Sequence, residues 1–241
     1  MNVLVTGHTR GLGRALAETY LAAGHRVFGL ARGHADDAPA ALAQRSADFA
    51  APEGLGAALD ALLGGVPPEL VFLNAGVLGP IGALRETSLA DIRHVMDVNV
   101  WANKTLLDAL AARAPAPAQI VLISSGAGVR GNFGWGPYAL SKATLNMLAQ
   151  LYAHEFPHSH LCALAPGLVA TAMQDTLATK SAATFPSLAR LHSARGTSQM
   201  PAPAVAAAHI ASIVPRLLEY PSGSFVDVRE HFPLPDSERA G

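Results

Sequence analysis

The chain has 241 residues, is half apolar with only 15% charged residues, and carries a formal net charge of −1. That length buries the core of one large α/β domain or two small ones. The near-neutral balance excludes the basic footprint of a nucleic-acid binder and an acidic tail.

The first element is "NVLVT" (2–6), an apolar, β-branched strand with no basic leader before it, so no secretory signal is expected. "TGHTRGLG" (6–13) follows and opens a helix at 12–23. Gly7, Gly11 and Gly13 allow a tight turn and let a pyrophosphate approach the free N–H groups of the helix N-terminus. Their spacing departs from G-x-G-x-x-G, and no Gly-Lys-Ser/Thr follows, which argues against a P-loop NTPase. The second strand, "RVFGL" (26–30), runs into Ala31-Arg32 with no carboxylate to hold a ribose 2′-hydroxyl. Arg32, with Arg10 inside the turn, suits a 2′-phosphate, so NADP is expected over NAD; two solvated arginines are the plain alternative.

A helix at 53–63 precedes the strand "ELVFLN" (69–74), which ends in Asn74-Ala75-Gly76. A long helix, 88–112, carries "DVNV" (97–100), and the prolines of 111–119 mark a loop into the strand "QIVLIS" (119–124). That strand ends in "ISSG" (123–126), and "GPYALSK" (136–142) then opens a helix at 137–155. Tyr138 and Lys142, spaced i, i+4, share one helix face, as chance pairs also do. The strand "HLCALA" (160–165) holds the single cysteine, Cys162, which excludes an internal disulfide and suits a reducing, cytoplasmic setting. "APGLVAT" (165–171) leads into 170–200, which fits no strand and has the composition of an insertion or lid. A helix at 203–219 and the strand "SFVDV" (224–228) complete the pattern.

Strands apolar on both faces, separated by helices, predict an α/β fold with a parallel sheet covered on both sides. No linker divides residues 1–241, so one domain is expected. Gly and Pro break every apolar stretch before the ~18 residues of a membrane span. The ten histidines show no metal-ligand spacing, and no metal is expected.

These motifs fall at the carboxyl ends of strands, and in this order the sequence resembles the short-chain dehydrogenase/reductase family over nearly its whole length. The resemblance rests on Gly7, Gly11 and Gly13, on Asp48 in "SADF", on Asn74-Ala75-Gly76, and on Asn99, Ser125, Tyr138 and Lys142. It implies a single Rossmann-type, doubly wound domain that moves a hydride between a nicotinamide and an alcohol or ketone, commonly as a dimer or tetramer. The glycine turn with Thr9, Arg10 and Leu12, then Asp48 and Phe49, would hold the dinucleotide. Pro166 and Gly167 would meet its carboxamide, Val169 would line the same site, Thr171 would reach its phosphates, and Lys142 its ribose. Tyr138 would donate the proton, Ser125 would polarise the carbonyl, and Asn99 would anchor a water that feeds Lys142. Lowering a tyrosine pKa of about 10 by ~3 needs ~4 kcal/mol, which a close ammonium can supply.

The second half is similar to the sepiapterin reductase and benzil reductase branch, which implies NADPH and a ketone or diketone substrate. Ala170 and Ala172 stand beside Thr171 where sepiapterin reductases carry aspartates, which disfavours a pterin. Trp135, Phe133 and Met173 suggest an apolar or aromatic ketone instead. A second reading is an NADP-binding redox sensor without turnover. Val95, Val98, Leu106 and Leu110 on one long helix, with Leu145, Leu148 and Leu151 on the other, suggest a second buried face and hence a homodimer or homotetramer. The segment 170–200 is expected to be an irregular lid over the nicotinamide.

Overall fold

The computed structural model describes residues 1–180 and 185–234. Among them seven strands form one parallel sheet: β1 (Asn2–Thr6), β2 (Arg26–Ala31), β3 (Leu42–Ser46), β4 (Leu70–Leu73), β5 (Gln119–Ile123), β6 (His160–Ala165) and β7 (Ser224–Asp227). The order is β3-β2-β1-β4-β5-β6-β7. Successive side chains of a strand point to opposite faces, and β1 uses both. Val3 and Val5 join the layer beneath α1 (Gly11–Ala22) and α8 (Pro203–Ile213). Leu4 joins Phe28 and Leu30 beneath α2 (Leu55–Leu63), α4 (Ala102–Ala111) and α5 (Gly136–Glu155). The chain leaves β1 toward β2 and returns past it to β4, so the connections part at the carboxyl ends of β1 and β4. A crevice opens at such a reversal.

Four expectations are corrected. The strand β3, "LAQRS", was not expected: it lies at the sheet edge, is at best half-buried, and has no β-branched residue. The helix at 88–112 is α3 (Leu89–Met96), then a π turn at Asp97–Trp101, then α4. The stretch 170–200 is more regular than its composition suggests, holding α6 (Ala172–Ala178) and α7 (Leu188–Ala194); its residues 181–184 lie outside the described residues. Val95, Val98, Leu106, Leu110, Leu145 and Leu148 are core, each at most 8% exposed, and form no second face. Outward apolar side chains include Leu140, Met147 and Leu151 on α5 and Trp101 at the π turn, each 44–54% exposed, and Leu89 at the start of α3, 65% exposed. At the carboxyl end, α8 stops at Ile213 and continues to Glu219 as a tighter 3₁₀ turn containing Pro215. The short α9 (Val228–His231) follows β7. Among the described residues no helix is long and apolar enough to cross a membrane.

Candidate active site

The glycine turn is built by close approach. Gly7 and Gly11 have φ of +69° and +56°, which side chains on L-residues rarely adopt. A Cβ on Gly13 would lie 2.3 Å from both Asn74 Nδ2 and the Gly7 carbonyl oxygen. Thr6, fully buried, locks β1 to the end of β4: its hydroxyl accepts the amides of Asn74 and Ala75 at 2.8 and 3.0 Å, and Asn74 Nδ2 donates to its carbonyl at 2.9 Å. Arg10 precedes α1 in an extended conformation, and no side chain caps the helix. The first-turn N–H groups therefore lack a side-chain acceptor and suit an anion. The Thr171 methyl would be 3.3 Å from a Cβ on Gly11, so the segment after β6 meets the same turn. Leu12, Phe49 and Val169 are buried, while Thr9 is half-buried. Asp48 is exposed and accepts the Ala50 amide at 3.0 Å. Arg10 and Arg32 are exposed and form no ion pair among the described residues. The cradle a Cβ would fill and the uncapped helix fit the pyrophosphate of a dinucleotide.

The chemical groups gather at the carboxyl end of β5. Ser125 caps the turn after the strand, accepting the Ala127 amide at 3.1 Å, and its side chain lies near the Tyr138 hydroxyl. Tyr138 stands in the first turn of α5, behind Pro137, whose missing N–H is harmless there. Lys142 lies one turn on, 4% exposed, and donates to the Ile123 carbonyl at 2.7 Å. Its Nζ is 5.6 Å from the Tyr138 ring centroid. Burial pushes Tyr138 above its ordinary pKa of 10.0, with the nearby Ser125 side chain opposing, and the residue is half-buried. Burial also pulls Lys142 down from 10.5 to about 8. Without a dinucleotide, then, burial outweighs the expected lowering of Tyr138 by the lysine, and the tyrosine holds its proton at neutral pH.

Asn99 is fully buried in the π turn, a wide helical turn often found at functional sites. Its Oδ1 accepts the Val77 amide at 2.8 Å, and Nδ2 donates to the Val77 carbonyl and Ser141 Oγ, both at 2.9 Å. Both amide hydrogens are thus engaged in holding the loop after β4 and the start of α5. A Cβ on Gly76 would come within 3.2 Å of Asn99 Oδ1 and 3.7 Å of Lys142 Nζ, so that loop lies against both.

Beside Tyr138 lies a small apolar cluster of Leu78, Leu177, Leu188 and Leu191, with Trp135, Tyr138, Leu168, Met173 and Phe185 packed against it. Trp135 Nε1 and Gln174 Oε1 are buried without a partner among the described residues. Phe133 does not join the cluster: it is 56% exposed and stacks on Phe185 at 5.6 Å between centroids. A shallow depression of about 370 Å³ beside Asp48, lined also by Arg45, Ser46 and Leu55, lies away from the chemical groups. It is on the edge strand's side of the molecule and has no bearing on proton transfer. Among the described residues no group of three or more His, Cys, Asp or Glu could hold a metal.

A profile of the short chain dehydrogenase family matches residues 1–182. The chain belongs to that family. It is 26% identical to a benzil reductase, (S)-benzoin forming, of Bacillus subtilis, covering 94% of this chain and 98% of that one. It is 30% identical to a benzil reductase of Saccharomyces cerevisiae, covering 88% and 89%. A sepiapterin reductase of Meriones unguiculatus is 30% identical over 71% of this chain and 75% of its own. Among solved structures, the KRED1-Pglu enzyme superposes with a TM-score of 0.83 at 26% identity, covering 93% and 99%. The chain is therefore an oxidoreductase of the kind that binds NAD(P) and acts on CH–OH or C=O groups.

The buried polar residues of this short chain dehydrogenase that sequence reasoning did not single out include Thr6, Ser141 and Asp227. Thr6 and Ser141 sit inside quoted motifs and are identified only by their partners, Asn74 and Asn99. Asp227, 1% exposed at the end of β7, pairs with Arg229 at 2.6 Å, and the Arg229 stem packs where a Cβ on Gly167 would be, 3.2 Å away. The pair braces the Pro166-Gly167 loop; nothing in "SFVDV" signals it.

Proposed function

We propose that the chain is an NADPH-dependent carbonyl reductase acting on a ketone or diketone, with Tyr138 as the proton donor. The observation that carries the reading is the gathering of Tyr138, Ser125 and the Lys142 ammonium at the carboxyl end of β5, next to an apolar cluster. The benzil reductase names of two relatives support a diketone. Trp135 and Met173 face the same cluster and suit an aromatic or apolar carbonyl compound. Arg32 and Arg10, unpaired and without a neighbouring carboxylate at the end of β2, support NADP over NAD.

A nicotinamide dinucleotide held at the glycine turn supplies the hydride. The substrate oxygen needs one proton as the alcohol forms, and Tyr138 gives its hydroxyl proton to that oxygen. Its raised pKa keeps that proton in place until a stronger base, the developing alkoxide, is presented. Ser125 donates a hydrogen bond to the same oxygen and polarises the carbonyl. The phenolate left behind is stabilised by Lys142, which at neutral pH is below its pKa of about 8 and still charged. Asn99 keeps Val77 and Ser141 in place around these groups.

In this reading residues 1–241 form a single NADP-binding domain, and 170–200 is its substrate lid. Leu177, Leu188 and Leu191 are buried against Leu78 beside Tyr138, which favours closure over the substrate. The stripe of Leu140, Met147 and Leu151 with Trp101 supports association into a homodimer or homotetramer. A panel of ketones and diketones with NADPH, followed by loss of its absorbance, tests the reading. No oxidation with any carbonyl compound would refute it.

A further inference from the structure

A buried side-chain bridge ties the glycine turn to the loop between β2 and β3, and the proton-transfer chemistry does not use it. His8, the third residue of "TGHTRGLG", is 1% exposed, and its ring lies against Gly29 in the middle of β2. A Cβ on Gly29 would come within 2.5 Å of that ring, so the glycine inside a strand makes room for the imidazole. His8 Nε2 is 2.9 Å from Gln44 Oε1 on β3. The same oxygen accepts the Ala35 amide at 2.8 Å, and Gln44 Nε2 donates to the Ala35 carbonyl at 2.9 Å.

The bonds to Ala35 fix which end of the Gln44 amide faces which group, so an oxygen is what His8 meets. That oxygen needs a donor, hence His8 carries its proton on Nε2 and leaves Nδ1 bare. Nδ1 makes no hydrogen bond among the described residues. Burial lowers the His8 pKa most, the Gln44 bond and the Leu30 backbone oppose it, and nearby His34 acts with burial, so the net direction favours the neutral ring. Two positions along β3 from Gln44, Ser46 Oγ donates to the Arg32 carbonyl at 2.6 Å. Side chains on alternate residues of the edge strand thus hold both ends of the Arg32–Ala35 loop, and Gln44 alone is also fastened to the glycine turn. The Arg32 and His34 side chains remain exposed.

We propose that the His8–Gln44–Ala35 bridge is a specificity element for the cofactor's adenosine end: it fixes the Arg32 loop relative to the glycine turn, so that the guanidinium meets a ribose 2′-phosphate. This rests on the NADP reading above. His8 and Gln44 are buried or half-buried positioning residues that act through Arg32.

The test is calorimetric binding of 2′,5′-ADP and 5′-AMP to the full chain and to His8→Phe, Gln44→Leu and the double variant. Phe keeps a ring over Gly29. Each single change should weaken 2′,5′-ADP about tenfold, one well-placed charged contact. It should weaken 5′-AMP less than about twofold, and the double variant should be no worse than either single one because the two residues act as a unit. Hydrogen exchange at the Ala35 amide should accelerate in Gln44→Leu. Equal losses on both ligands, or losses that add in the double variant, would overturn the proposal. Should the variants fail to fold, the imidazole nitrogen spectrum of the unaltered protein decides: a His8 ring protonated on Nδ1 at neutral pH overturns the bridge. An unaltered chain that binds the two fragments equally sinks the NADP reading instead. The bridge then stands or falls on whether Ala35 exchange responds to Gln44→Leu.

Discussion

Replacing Lys142 with Met should stabilise the ligand-free protein while abolishing its chemistry. Lys142 is 4% exposed and its pKa falls from 10.5 to about 8, with burial as the cause. That fall corresponds to a penalty of about 3 kcal/mol on the folded state wherever the unfolded lysine is charged. Met has similar length and no charge, but it leaves the Ile123 carbonyl without its donor, which costs about 1 kcal/mol or somewhat more. The net gain near neutral pH is therefore about 2 kcal/mol, or about 4–8 °C in Tm for a chain of this size. The sign with pH is diagnostic. The folded pKa lies below the unfolded one, so the penalty is complete below about pH 8 and disappears as pH rises toward 10.5. Thermal melts of both proteins between pH 7 and pH 10.5, without nucleotide, should converge as pH rises. A Met variant that is less stable at pH 7, or a difference that does not change with pH, would refute the burial argument.

Arg32→Asp should weaken NADPH binding about tenfold or more and improve NADH, because it exchanges a partner of a 2′-phosphate for one of a 2′-hydroxyl; unchanged relative efficiencies would contradict the role. Leu151→Glu with Met147→Lys, which charge the exposed stripe on α5, should shift light scattering toward the monomer. A monomeric unaltered chain at micromolar concentration would remove the basis for that expectation. Trp135→Phe removes the indole N–H, which has no partner among the described residues, and shrinks the bicyclic indole to a phenyl ring; it should lower the preference for diketones over matched monoketones while leaving monoketone turnover within about threefold. Hydrogen exchange across 170–200 should slow when NADPH and substrate bind, and equal protection in both states would show a fixed element instead of a lid.

Strands buried on both faces were legible because their composition is unambiguous: "NVLVT" supplies Val3 and Val5 to one layer and Leu4 to the other. The edge strand β3 was not, since Gln44, Arg45 and Ser46 serve loops and solvent more than a core. Tyr138, Ser125 and Lys142 were identified by motif, and the fold brings them together at one strand end. What the motif could not convey was environment. The spacing of Tyr138 and Lys142 contains nothing of the burial that raises one pKa and lowers the other. Asn99 was legible as a residue but its setting was not, because a π turn depends on packing of a whole helix against α5. Of the apolar residues assigned to a partner interface, all but the exposed Leu151 failed for a related reason. Both helices are covered by the sheet and by each other, so residues such as Leu106 and Leu145 are consumed by the core.

The central claim is that Tyr138 delivers the proton to a carbonyl oxygen. Single-turnover reduction of a diketone by Tyr138→Phe, with NADPH affinity measured in parallel, tests it most directly. The rate should fall by about 100-fold or more, since a general acid is worth that much, while the dissociation constant of NADPH stays within about twofold. Reduction at a near-normal rate with NADPH bound as tightly would contradict the account.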